Sequence, residues 1–183
     1  MPSPDTNCST LGTIVSNKLP SCFPNARVKI EQALEAILGL VCWDLQSCYL
    51  ASTPGQLLAG NVDTKIFWDV VVVDTNALYT IGSGDILIRR KGIYAISSTA
   101  AWQPAANSDH FTMRITVNDV PKAQQSVQGR TDKVAFNNAA VTLQLLVGEI
   151  VRVYVEYSNL ADPDADLLLA GGSQFFLDMV QPL

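Results

Sequence analysis

The chain has 183 residues, 48% of them hydrophobic and 16% charged, with a net charge of −5 at pH 7. That suits one domain with an appendage, a large core and apolar residues to spare, so oligomerisation is expected. The negative balance excludes a duplex nucleic-acid binder, because phosphate contacts need clustered Lys and Arg; the one basic run, Arg89-Arg90-Lys91, reads as a solvated strand end before Gly92.

Met1 to Asp5 has neither a basic leader nor an apolar run, so a secretory leader is not expected. No stretch reaches the ~20 apolar residues that cross a bilayer, and membrane insertion is not expected either. Residues 1–24 carry Pro2, Pro4, Pro20 and Pro24 among Ser, Thr and Asn and read as an extended arm. Its scattered apolar residues Leu11, Ile14, Val15 and Leu19 are the candidates for docking on another protein.

From Asn25 to about Tyr49 the period changes. Asn25 is an N-cap residue type, and Ile30, Leu34, Ile37, Leu38, Val41 and Leu45 recur at spacings of three and four, which predicts one α-helix. It is too short for a stable isolated coiled coil; it covers the core of its own domain or packs against copies of itself. Helix and linker together occupy 25–61, the linker marked by Thr53-Pro54-Gly55 and Gly60-Asn61. The four cysteines, Cys8, Cys22, Cys42 and Cys48, lack the C-x-x-C pairing of a zinc site. Buried thiols and disulfides both stay open, the latter with three connectivities.

Every element after residue 61 reads as strand. Ile66 to Asp74 contains the run Val70-Val71-Val72-Val73, and Ala77 to Ile81 leads to the turn Gly82-Ser83-Gly84-Asp85. Ile86 to Arg90 feeds the central strand 91–102. That strand places Tyr94, Ile96, Ser98, Ala100 and Trp102 on one face and Ile93, Ala95, Ser97, Thr99 and Ala101 on the other. The bulky face suits a sandwich core; the small face lets a second sheet or subunit approach. His110 to Asn118 alternates, Asn118-Asp119 marks a turn, and Lys122 to Val127 reads as a short edge strand. Ala139 to Val147 and Ile150 to Ser158 flank Gly148-Glu149 in the manner of a hairpin, with Val151, Val153, Val155 and Tyr157 on one apolar face. After a polar loop, Gln174 to Val180 closes the chain. Strands with no helix among them predict a mainly β, antiparallel sandwich.

The order of several motifs is recognisable. Gly92-Ile93-Tyr94, then Leu143-Gln144-Leu145 with Gly148-Glu149-Ile150-Val151-Arg152-Val153, then Ser173-Gln174-Phe175-Phe176-Leu177 resembles the complement and tumour-necrosis-factor-like (TNF-like) jelly roll over residues 62–183. The chain departs from the complement branch in having no collagen-type Gly-X-Y repeats. The resemblance implies a homotrimer, with Tyr94, Ile96, Trp102, Val153 and Phe175 in the trimer interface or the core. Similar domains occur as trimeric knobs on bacteriophage particles.

Little enzymatic chemistry is visible. His110 is the only histidine, and no Gly-x-Ser-x-Gly elbow accompanies it, so a Ser-His-Asp hydrolase is not expected. Gly82-Ser83-Gly84-Asp85 precedes a strand instead of a helix and reads as a turn, not a phosphate cradle. Asp162, Asp164 and Asp166 alternate on one loop, a pattern that suits calcium, which members of the similar family bind; they lack an EF-hand's glycine and distal glutamate, and the plainer reading is a solvated acidic loop with no cofactor.

The expectation is therefore a non-enzymatic virion structural protein, a trimeric decoration, head-fibre or spike protein. Its arm anchors it to a capsid or other virion protein, and its knob contacts a host-surface glycan or receptor. The alternative is a secreted, extracellular receptor-binding ligand of the complement/TNF-like type.

Overall fold

The computed structural model describes residues 45–53, 55–104, 109–129, 134–158, 167–169 and 171–183. Twelve strands run in chain order: β1 Ser47–Ala51, β2 Leu57–Leu58, β3 Thr64–Lys65, β4 Val70–Asp74, β5 Ile86–Leu87, β6 Gly92–Trp102, β7 His110–Val117, β8 Val120–Gln128, β9 Ala135–Leu145, β10 Ile150–Ser158, β11 Leu167–Leu168 and β12 Gln174–Pro182. The first sheet has the order β4-β1-β12-β6-β9. The second has β3-β10-β7-β8, with β5 also on β10, and β11 pairs with β2. All these pairings are antiparallel.

β6 is central because its two faces differ so sharply. Tyr94, Ile96, Ser98, Ala100 and Trp102 all point into the sandwich and are buried, while Ile93, Ala95, Ser97 and Thr99 are half-exposed. Each of its residues, from Gly92 opposite Leu145 to Trp102 opposite Ala135, pairs with β9. From the second sheet, Phe111, Met113 and Ile115 on β7 and Val151, Val153 and Tyr157 on β10 meet them. Trp102 stacks on Phe111 with ring centroids 4.9 Å apart and meets Tyr157 edge-on at 6.3 Å, and Trp68 lies 6.0 Å from Phe175. Burying such rings is the largest apolar contribution a sandwich of this size has. Gly129 belongs to this packing: a Cβ there would lie 2.6 Å from Pro104 and 2.8 Å from the Trp102 ring.

Three buried polar side chains brace the two ends of β6. The Tyr94 hydroxyl lies 2.6 Å from Gln46 Oε1 and 2.7 Å from the Arg90 carbonyl oxygen, either of which accepts its proton. Gln46 Oε1 also accepts from the Arg90 amide. At the other end of β6, the Asn137 side-chain amide donates to the carbonyls of Phe111 and Gln125, clipping β9 to the second sheet. Each such bond, net of the water it replaces, contributes about 1 kcal/mol.

Three expectations are corrected. The helix does not run to Tyr49: Ser47–Ala51 is strand β1, between β12 and β4. Leu45, which the helical stripe would bury, is 44% exposed, while Cys48 and Leu50 are buried in alternation with Tyr49 and Ala51. Pairing on both edges overrides the local period of three and four. β1 also places a sandwich strand upstream of residue 62; the stretch 25–44 of the helix and the arm 1–24 lie outside the described residues. Second, Gly148-Glu149 is a turn but not a hairpin, since β9 pairs with β6 and β10 with β7. The chain passes there from one sheet to the other, and a tight turn between alternating runs has the same local chemistry in both cases. Third, strand structure is absent from Ile66–Asp69, and Ala77–Ile81 contributes only an isolated bridge between Tyr79 and Ile86.

Candidate functional site

The register of the first sheet sets its outward side chains in rows. Val73, Tyr49, Phe176, Ser97 and Ala140 form one row across all five strands. Val70, Ala51, Gln174, Thr99 and Asn138 form the row on one side, and Ser47, Asp178, Ala95 and Thr142 that on the other. Directly opposed residues in antiparallel strands share a face, so these side chains make one surface. Tyr49 and Phe176 stack on it, with centroids 4.3 Å apart and planes 10° apart. Beside them lies an open depression of about 410 Å³ lined by Ala95, Ser97, Ala140, Thr142, Phe176 and Asp178.

Asp178 is the single charged residue in these rows. The second sheet is its opposite in chemistry. On the outward face of β10, Arg152 donates to Asp85 at 2.7 Å and to Asp119 at 2.6 Å, and Lys65 reaches Asp85 at 2.9 Å. Tyr154 donates to Asp119 at 3.0 Å. Next to them Arg114 pairs with Asp63 at 2.6 Å and with Glu156. The Arg152 hydrogen bonds, with help from Lys65 and against burial, pull the Asp85 carboxyl down to about 2, and they raise Arg152 in return. Arg152, then Tyr154, lowers Asp119, while burial first and Asp119 second raise Tyr154. One outer face is thus a network of solvated ion pairs, and the other is small, aromatic and almost without charge.

The structure disperses the other candidates. Tyr94, Ile96, Trp102, Val153 and Phe175 lie between the sheets, not on the outer face. Burial moves the Tyr94 hydroxyl up to about 12, with Arg90 opposing. His110 opens β7 and stands opposite Ser158 and Gln128, whereas the carboxylate of neighbouring Asp109 turns inward, where Tyr157 donates to it at 3.1 Å. Adjacent in sequence, the two project to opposite sides of the strand. In the Gly82–Asp85 turn, Gly82 and Gly84 have φ of 80° and 68°, and Ser83 donates to the Thr80 carbonyl. The turn serves to hold Asp85 against Lys65 and Arg152. Cys48 is a free thiol buried on the inner face, pushed up to about 12 by burial and then by Asp74 and Asp178, so it is a poor nucleophile. Asp162, Asp164 and Asp166, and Leu11, Ile14, Val15 and Leu19, lie outside the described residues. Among the described residues no group of three or more His, Cys, Asp or Glu is arranged to hold a metal ion.

The Tyr49–Phe176 stack is hidden in the sequence because the period of three and four runs up to Tyr49 and predicts a helix end there. The signal was the short alternation Cys48, Leu50 against Tyr49, Ala51.

Two five-stranded antiparallel sheets with this crossing order decide the architecture. The fold is a TNF-like jelly roll. The globular domain of zebrafish complement 1qA protein is similar with a TM-score of 0.55, at 12% identity over 75% of this chain and 99% of that one. Murine APRIL at pH 5.0 is similar with a TM-score of 0.55, at 13% identity over 74% of this chain and 99% of that one. The Eiger TNF of S. frugiperda, also at 0.55, has 11% identity over 76% and 94%. No protein-family model and no curated protein matches the sequence.

Proposed function

We propose that this chain is a non-enzymatic recognition protein that works as a homotrimer, closed through the outer face of its first sheet. The observation that carries the reading is the contrast between the two outer faces. Small residues and one aromatic stack, with a single carboxylate among five strands, suit burial against a copy of the chain; the ion-pair face suits solvent. A cyclic contact of this kind closes on itself, and three is the number that the TNF-like resemblance implies. The charged second sheet then points outward.

Two settings follow. The complement and TNF names of the similar structures favour an extracellular ligand that engages a receptor. The virion decoration, head-fibre or spike reading rests on the proline-broken segment 1–24 as an anchor on a capsid or other virion protein. One comparison separates them: mass spectrometry of purified virus particles against that of the surrounding medium. In the virion setting, a chain lacking residues 1–24 stays trimeric and no longer binds particles that lack this protein. Full occupancy by the truncated chain would remove the anchor.

A further inference from the structure

Strand β4 ends the first sheet, with β1 on one side and no strand among the described residues on the other. Its four valines, Val70 to Val73, are all exposed, by 38% to 51%. An edge strand of this kind is a ready template for another extended chain, and proteins usually blunt it with Lys, Pro or an inward charge. β4 carries neither Lys nor Pro; its protections are a register shift opposite Tyr49 and Leu50 and, at its last residue, Asp74 opposite buried Cys48, which leave the four valines themselves unguarded. Val70 and Val73 share the outer face described above, but the free backbone edge and the side chains of Val71 and Val72 do not belong to its rows.

The valines are bracketed by two positioned carboxylates. Asp69 accepts hydrogen bonds from the Thr53 amide at 2.7 Å and from the Thr53 hydroxyl, which lowers its pKa and keeps it anionic. Asp74 accepts from the amides of Leu78 at 2.8 Å and Tyr79 at 3.1 Å. Neither has a cationic partner among the described residues: Lys65, Arg114 and Arg152 are engaged with other carboxylates. This bracket selects the occupant. Antiparallel pairing of two copies in the register that overlaps all four valines sets Asp69 of one copy opposite Asp74 of the other, twice, and like charges directly opposed destabilise a strand pair. A strand whose apolar residues are flanked by Lys or Arg meets both carboxylates and the free edge at once.

We propose that the free edge of β4 is a strand-addition site for an extended apolar segment of another protein, bracketed by cationic residues. The test uses the full-length chain and two fluorescein-labelled hexapeptides, Lys-Val-Thr-Val-Thr-Lys and its counterpart with Glu at both ends, followed by anisotropy. The lysine peptide should bind saturably, and the glutamate peptide about tenfold more weakly or not at all, since attractions to exposed Asp69 and half-buried Asp74 become repulsions. The difference should shrink as salt rises from about 50 to about 500 mM. A V71K/V72K variant, which changes exposed side chains outside the rows of the outer face, should lose the lysine peptide while keeping its near-ultraviolet circular dichroism. Equal binding of the two peptides, no saturable binding of either, or full binding by the folded variant would overturn the proposal. So would a concentration-dependent doubling of the assembly that V71K/V72K abolishes, because a second copy would then be the occupant. The peptide pair needs no variant and decides the matter even if V71K/V72K does not fold.

Discussion

Replacing Trp102 tests the packing on which both faces depend. Its ring is fully buried, stacked on Phe111 and edge-on to Tyr157, and it closes against Pro104 and Gly129. Trp102→Ala removes all of these contacts and leaves a cavity between two sheets that cannot collapse, so the expected cost is about 3–5 kcal/mol. For a chain of this length each kcal/mol moves the melting temperature by about 2–4 °C, which puts the shift at about 6–20 °C. Trp102→Phe provides an internal control. The indole Nε1 is buried and has no hydrogen-bond partner among the described residues, so exchanging it for a smaller ring forfeits packing but no hydrogen bond. The control should cost about 1–2 kcal/mol. Urea denaturation, followed by tryptophan fluorescence and circular dichroism at one fixed protein concentration, gives both values; fixed concentration matters because subunit association adds to apparent stability. A Trp102→Ala midpoint within about 1 kcal/mol of the parent, or a Trp102→Phe cost as large as that of Trp102→Ala, would refute the reasoning.

The buried Cys48 thiol, moved up to about 12, should be silent to a thiol-reactive dye at pH 8 in a chain carrying Ser at positions 8, 22 and 42, and should react at once in urea; rapid labelling of the folded chain would contradict its burial. Asp85, held near 2 in the fold against an ordinary 3.8, contributes stability that is present above pH 4 and is lost as pH falls toward 2. Its partial exposure and solvent screening reduce that contribution to about 1 kcal/mol. Asp85→Asn should therefore be less stable than the parent at pH 6 and nearly equal to it at pH 2, and an unchanged difference across that range would count against the Arg152–Asp85 pair as its source.

Strict period-two stretches were legible from sequence. β6, β7 and β10 each alternate through most of their length, and in each the bulky set faces the other sheet, so strand, face and core could be read together. β1 was not legible. Its five residues follow a long period of three and four, and only the neighbours on both edges, β12 and β4, make them extended. The connection at Gly148-Glu149 was legible as a turn but not as a crossing, because the partner of each strand lies far away in sequence: β6 for β9 and β7 for β10. The Val70–Val73 run read as ordinary strand, and nothing local reveals that it lies at a sheet edge with all four side chains exposed. The small-residue face of β6 was legible from alternation. Its extension across Tyr49, Phe176 and Ala140 was not, because a row across a sheet is a property of register.

The central claim is self-association through that row, and the mass of the full-length chain in solution tests it most directly. At micromolar concentration, light scattering should give three times the 19.8 kDa of one chain. Ser97→Glu, which places a second carboxylate in the middle of the nearly uncharged face without touching the core, should give one chain's mass with an unchanged circular dichroism spectrum. A monodisperse monomer for the parent, or a trimer that survives Ser97→Glu intact, would contradict the account.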